Sequence, residues 1–489
     1  MDLKNLQKKY PRFIYEKYSR KISGNNLEIF FDFCIEPDIR FKPKIIIENI
    51  DRNLLKLDFN KLNNLIFHLG LMEIPSYWKA TCSPEIIVKA GALNSEQIKW
   101  WKDLIMKGMG QFFYENRINF KKPNFFTIKC LNVKIPSNLL KLDFNRFKLN
   151  GGNEVLVPVG GGKDSAVTLE LMKKAGKDVQ CFSLNPTGAV LKTMKVAGCK
   201  KPIVVRREID KKLLELNRKR YLNGHTPFSA YLAFLSVLAA AIFGQKYIAL
   251  SNERSSNEGN IKYLGRIINH QWSKSFEFEQ KFRNYCKRYL TPVVKEDKSS
   301  FPPSSRLQRD SVIEYFSFLR PLYEIQIAKL FGKYPKYFPV FLSCNEAYKT
   351  ASGTKLPAKK WCGKCSKCLF VFTILYPFLT EKELLKIFGK NLFEDKTLLP
   401  IMQELMGERG FKPFECVGTK KESLAAFYLS LRSFIRRGAK PPFLLQYFEE
   451  KILPKYPNLK QIAKKILTSW NKQNNLLLLF DKFLKSAII

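Results

Sequence analysis

The chain has 489 residues, 45% of them hydrophobic and 26% charged, which excludes wholesale disorder and leaves room for about two or three domains. Lys plus Arg number 84 against 43 Asp plus Glu, a net charge of +41 that draws anionic ligands. The lysines are spread along the chain, so charge alone does not choose between a phosphorylated small molecule, RNA and a surface that is simply Lys-rich.

Met1-Asp2-Leu3-Lys4-Asn5 carries no apolar run and is expected to begin a cytoplasmic protein. Residues 1–150 read as an N-terminal α+β domain. Short β-like runs lie at Leu27–Phe33, Lys44–Ile50 and Phe125–Val133, around an aromatic segment with Trp78, Trp100 and Trp101. Residues 151–375 read as the catalytic domain, because strands and helices alternate. Strands are predicted at Glu154–Val159, Asp178–Leu184, Pro202–Arg206 and Tyr247–Ser251. Helices are predicted at Asp164–Ala175, Gly188–Ala197, Asp210–Tyr221 and Phe228–Phe243. This alternation implies an α/β fold, a doubly wound parallel sheet with helices on both faces. Ligands of such sheets sit beyond the carboxyl ends of the strands, which gathers Gly160, Asn185, Arg206 and Asn252 around one crevice. Pro227–Gly244 is barely long enough to span a bilayer; a strand follows it at once, so it reads as a buried helix and no membrane insertion is expected. Ser299–Ser305 reads as a loop, and residues 376–489 as a basic helical region.

Gly160-Gly161-Gly162-Lys163-Asp164-Ser165 joins a strand to a helix. Glycines let the backbone approach a phosphate, and the free N–H groups of the helix start point at it. Lys163 adds charge, Ser165 a hydroxyl, and Asp164 suits Mg²⁺ or helix capping. The spacing is neither that of the kinase-type loop nor that of the dinucleotide fold. It resembles the pyrophosphate loop of the N-type ATP pyrophosphatases (PP-loop, adenine nucleotide alpha hydrolase-like), usually Ser-Gly-Gly-x-Asp-Ser, with Gly160 in place of the first serine. That resemblance implies ATP as cosubstrate, cleavage to AMP and pyrophosphate, and a nucleotide crevice lined also by Asn185.

Of 11 cysteines, Cys34, Cys82, Cys130, Cys181, Cys199, Cys286 and Cys416 are scattered and read as small buried apolar side chains. An odd count behind such an N-terminus argues against a disulfide framework. Cys344, Cys362, Cys365 and Cys368 differ: three are spaced by two residues and a fourth closes the set, so a structural Zn²⁺ is expected, with an iron–sulfur cluster as competitor. Lys364 and Lys367 are read as offsetting the thiolate charge. Deazapurine nitrile synthases of the same superfamily carry a similar cluster, which implies a scaffold role.

Ser251–Asn260 and Asn269–Glu279 are dense in polar side chains and follow the fourth strand. Their motifs, Ser-Asn-Glu-Arg-Ser-Ser-Asn-Glu-Gly and Asn-His-Gln-Trp-Ser-Lys-Ser-Phe-Glu-Phe-Glu, join the glycine loop and Trp-Cys-Gly-Lys-Cys-Ser-Lys-Cys. The set resembles the UDP-N-acetylmuramoyl-L-alanyl-L-glutamate epimerases. The resemblance implies inversion of a terminal L-glutamate through an adenylated carboxylate, with Mg-ATP and a UDP-muramoyl dipeptide as substrates. Two proton carriers are then required; His270, Lys274, Glu277 and Glu258 are the candidates, with His225 behind them. Asn252, Arg254, Asn257 and Lys274 are expected to bind the substrate. The alternative is an RNA- or nucleobase-modifying enzyme of the same superfamily; it has the net charge behind it and no RNA-binding signature, so nucleic acid is the less favoured partner.

Overall fold

The computed structural model describes residues 2–50, 59–131, 153–291, 313–347, 358–438 and 440–488. The Ser299–Ser305 loop lies outside them. Thirteen strands are described. In chain order they are β1 (Arg12–Ser23), β2 (Asn26–Ile35), β3 (Ile39–Phe41), β4 (Lys44–Ile47), β5 (Glu85–Val88), β6 (Thr127–Cys130) and β7 (Glu154–Pro158). Then come β8 (Asp178–Leu184), β9 (Ile203–Glu208), β10 (Tyr247–Leu250), β11 (Ile261–Tyr263), β12 (Arg266–Ile268) and β13 (Glu314–Ser317).

Eleven of them form one sheet in the order β13-β10-β7-β8-β9-β4-β2-β1-β5-β6, with β3 paired to β2. The doubly wound parallel part is the run β13-β10-β7-β8-β9. The sheet as a whole is mixed, a correction to the all-parallel expectation. β4 docks antiparallel on β9, Ile47 opposite Val205, and β2 and β1 continue antiparallel. The N-terminal strands thus cover an edge that would otherwise expose unpaired backbone groups.

Side chains alternate between two cores, as the pleat demands. Val155 and Val157 of β7 face the core that holds Leu169, Ile327 and the C-terminal helices, while Leu156 faces the one that holds Leu235, Trp101 and the N-terminal aromatics. The helix Phe228–Phe243 has the bounds expected from its Ala-rich run. It ends where Gly244 takes a left-handed conformation (φ 79°). Phe234 stacks on Trp101 at 5.0 Å between ring centres. Among the described residues no helix is long and apolar enough to cross a membrane. The described residues beyond 376 are mainly helical, and Leu384, Phe427 and Phe480 bury into the same core as the helix Lys163–Lys174.

Cys181 and Cys199 depart from the expected free thiols. β8 and the turn before β9 bring their Cα atoms to 6.3 Å, and the two are joined as a disulfide.

Candidate active site

From β7 the chain winds outward through β8 and β9, then returns to the other side of β7 with β10 and β13. The strand order reverses between β7 and β10, and crevices at such switch points are where open α/β sheets bind ligands. β7 delivers Gly160–Ser165 there, β10 delivers Ser251–Asn260, and β13 leads to Arg320 and Glu324.

Gly161 has φ +77°, which a side chain strains, and a Cβ on Gly162 would meet Ser343 Cβ at 3.2 Å. A Cβ on Gly160 would meet nothing within 4 Å, so the loop presents an open face there. Gly162 caps the helix Lys163–Lys174 with no side-chain cap, which leaves first-turn N–H groups for an anion. The Ser165 hydroxyl donates to Gly162 O at 3.0 Å, and Leu342 N donates to Gly161 O at 2.9 Å.

Asp164, Glu253 and Glu324 bring carboxylate oxygens within 4.8 Å of one another. Lysines interleave them. Lys163 Nζ, 2% exposed, donates to Asp164 Oδ1 at 2.5 Å and to Glu324 Oε2. Lys367 Nζ lies 3.6 Å from Glu324 Oε1 and donates to the Cys416 carbonyl. Lys274 Nζ donates to Cys416 Sγ at 3.2 Å. Burial alone would lower the Lys163 and Lys274 ammonium pKa values. The charges of Asp164 and Glu324, and of Cys416 and Glu253, overcome it and hold both above the ordinary lysine range. Burial, reinforced by the Glu324 charge, pushes Glu253 up to about 7. Glu324 is driven down: burial would raise it, but Lys163 and Lys367 outweigh that.

Arg320 is fully buried and fixes the segments together. It donates to Glu253 O at 2.7 Å, to Ser256 Oγ at 2.8 Å and to the Lys274 carbonyl. Beside this cluster, the His270 and His225 rings lie 4.6 Å apart, and His270 Nδ1 is 2.5 Å from Gln111 Oε1. Burial and the Lys274 charge lower His270 to about 3, and burial with His270 and Lys79 nearby lowers His225 as well. Both imidazoles are therefore neutral at physiological pH.

The remaining sequence candidates are placed as follows. Asn252 Nδ2 donates to Ser317 Oγ at 3.1 Å. Arg254 lies over the Tyr323 ring at 4.4 Å. Glu258 Oε1 accepts from Lys420 N at 3.1 Å and lies 3.6 Å from Lys412 Nζ. Asn257 Oδ1 accepts from Phe276 N at 2.8 Å, an exposed turn contact. Glu277 stands apart, paired with Lys107 at 2.5 Å and Lys281 at 3.2 Å on the surface. Asn185 holds the backbone of Arg207 through both amide atoms, and Arg206 pairs with Glu48. These last two keep to the β8–β9 side of the sheet.

Cys344, Cys362, Cys365 and Cys368 converge, with their sulfurs within 4.8 Å of one another. Cys368 Sγ is 3.5 Å from Cys365 Sγ and 3.6 Å from Cys362 Sγ. A tetrahedral ion with sulfur bonds of about 2.3 Å sets its ligands about 3.8 Å apart, so the four fit one such ion. Lys367 does not offset the thiolates as expected, because its ammonium turns to Glu324. Cys416 is not a buried apolar side chain either; it is half-buried against Lys274.

Sequence reasoning missed Glu324, Arg320, Lys412 and the place of Cys416. A signal existed for two of them: Arg320 and Glu324 are the charged residues of the otherwise uncharged, largely apolar run Tyr315–Ile327. A charge there needs a buried partner.

Fold and site thus define an α/β protein whose parallel strands lead into a glycine loop beside a lysine–carboxylate cluster. Residues 4–295 match the family described as the MurL N-terminal domain, and residues 340–450 match the MurL C-terminal domain. The UDP-N-acetyl-alpha-D-muramoyl-L-alanyl-L-glutamate epimerase of a Micromonospora species is 34% identical over 354 residues, 72% of each chain. That of Salinispora tropica is 34% identical over 72% of this chain and 70% of its own. That of Xanthomonas oryzae pv. oryzae is 32% identical over 73% and 72%. The chain belongs to the MurL family. No solved structure matches it.

Proposed function

We propose that this protein epimerises the terminal L-glutamate of UDP-N-acetylmuramoyl-L-alanyl-L-glutamate to the D-form, in the cytoplasmic synthesis of peptidoglycan precursors. The family and its curated relatives carry this reading. We extend it to an ATP-dependent reaction of the PP-loop type. One observation supports the extension: the glycine loop and the Asp164–Glu253–Glu324 trio share the switch point of the sheet. The trio fits a Mg²⁺ ion, which when bound would supply positive charge to offset the negative charge developing on the leaving group. The four cysteines fit a structural Zn²⁺.

The chemistry follows from acidity. Removing the α-proton of a free carboxylate sets a second negative charge beside the first. When the carboxylate oxygen attacks the α-phosphorus of ATP, pyrophosphate leaves and the acyl adenylate carries no such charge. First-turn N–H groups of the helix Lys163–Lys174 are poised to hold the pyrophosphate without reorganising. Neutral His270 then takes the α-proton, charged Lys274 returns one to the other face, and water releases AMP. Glu277 has no part in this scheme, since Lys107 and Lys281 hold it elsewhere. The RNA- or base-modifying alternative rests on net charge alone.

The test is chiral analysis of glutamate after incubation with the UDP-muramoyl dipeptide and Mg-ATP. D-glutamate, with matching AMP and pyrophosphate, is expected. No D-glutamate would overturn the epimerase reading, and ADP as the product would overturn the adenylation step.

A further inference from the structure

The loop between the helices Leu399–Met406 and Lys420–Arg436 reaches back from the helical region into the site. Asn260 holds it there. Its Nδ2 donates to Lys412 O at 3.2 Å and to Pro413 O at 2.7 Å, while its Oδ1 accepts from His270 N at 2.8 Å. One side chain thus fixes Lys412 and His270 as neighbours. Four residues beyond Lys412, Cys416 meets Lys274.

Lys412 is 1% exposed, and among the described residues its ammonium donates no hydrogen bond. The nearest carboxylate, Glu258, is 3.6 Å away, with Oε1 already accepting from Lys420 N. An ammonium has three N–H donors, and burying it without hydrogen-bonded anions is costly. The other lysines around the site are engaged: Lys163 by Asp164 and Glu324, Lys367 by Glu324, Lys274 by Cys416, and Lys79 by Gly224 O.

We propose that Lys412 recognises the side-chain carboxylate of the terminal glutamyl residue and sets the specificity of the enzyme. The inference rests on the epimerase reading. The α-carboxylate is consumed by adenylation and the diphosphate lies at the far end of the substrate. Besides the adenylate phosphate, the side-chain carboxylate is then the one anion left near the reacting carbon, three bonds away. His270 works at that carbon, and Lys412 stands beside His270. Glu258 acts through Lys412, as a positioning residue.

The experiment compares dipeptide substrates ending in L-glutamate and L-glutamine, reading kcat/KM from AMP release. Wild type should prefer glutamate by about 100-fold, because the site would leave a buried ammonium unpaired against the amide. Lys412→Met should lose about 100-fold on glutamate, mostly in KM, and change little on glutamine, so the preference collapses. A Lys412→Met protein that melts like wild type yet keeps the preference would overturn the proposal. Should that variant not fold, wild type and Lys412→Arg decide: equal turnover of the two substrates by wild type overturns it, and Lys412→Arg keeping the preference supports it. Failure of wild type to make any D-glutamate counts instead against the epimerase reading.

Discussion

The four cysteines and the three carboxylates are both suited to hold a cation, and the chain assembles them in different ways. Three of the cysteines lie within seven residues, and Gly363, at φ +65°, turns the backbone so that their sulfurs converge. Asp164, Glu253 and Glu324 come from the ends of β7, β10 and β13, and only the finished sheet brings them together. The first cluster is closed by its own ligands. The second alternates carboxylate with ammonium, Lys163 pairing both Asp164 and Glu324. The two are also joined. Leu342 bonds Gly161 two residues before Cys344, and Lys367, between Cys365 and Cys368, reaches Glu324. The cysteine centre thus adjoins both the glycine loop and the carboxylate cluster.

This comparison predicts separable failures. Asp164→Ala should reduce substrate-dependent AMP release at least about 1,000-fold, because it removes charge aimed at the leaving group. Its melting temperature should move little, since Glu324 still pairs Lys163. Full turnover by this variant, measured by pyrophosphate release, would break the assignment of the carboxylate cluster to chemistry. Cys365→Ser should do the reverse: a loss of about 4 kcal/mol of stability, read by denaturant unfolding, together with loss of bound zinc by elemental analysis. The helix Ser366–Leu375, buried along its whole length, starts at Cys365 and should unfold first in hydrogen exchange. Wild-type stability in the serine variant, or iron in place of zinc, would break the scaffold half.

What the sequence made legible follows the same division. The strand Asp178–Leu184 and the helix Phe228–Phe243 have the predicted bounds, and the glycine loop and cysteine knuckle read directly, because each depends on neighbours a few residues away. The pairing of β4 with β9 joins residues about 160 apart, and no local pattern announces it. Lys412 and Cys416 lie in a region read only as helical and basic, yet their loop completes the site. Glu277 misled in the opposite direction. Polar density around His270 suggested a site residue, whereas its i,i+4 spacing to Lys281 marks a solvent-facing helix pair.

The smallest effect expected comes from a carboxylate that shares the burial of Glu324 but not its lysines. Glu422 is fully buried; Oε2 accepts from Ser255 Oγ at 2.5 Å and from Thr419 N at 2.8 Å, and Oε1 has no partner among the described residues. Burial raises Glu422 from 4.5 to about 7, the hydrogen bonds opposing it only in part. Its folded value lies above its unfolded one, so the native chain keeps a proton that the unfolded chain has already lost. Stability contributed by that proton is present in full below pH 4.5 and lost as the pH rises to about 7. Glu422→Gln keeps the shape, cannot ionise, and should remove roughly 2 kcal/mol of that pH dependence. Denaturant melts of both proteins at pH 5 and pH 8 check it: the variant should gain on wild type at the higher pH. An unchanged difference between the two would mean that Lys412 already neutralises Glu422, and that burial does not decide its charge as it would for Glu324 without Lys163.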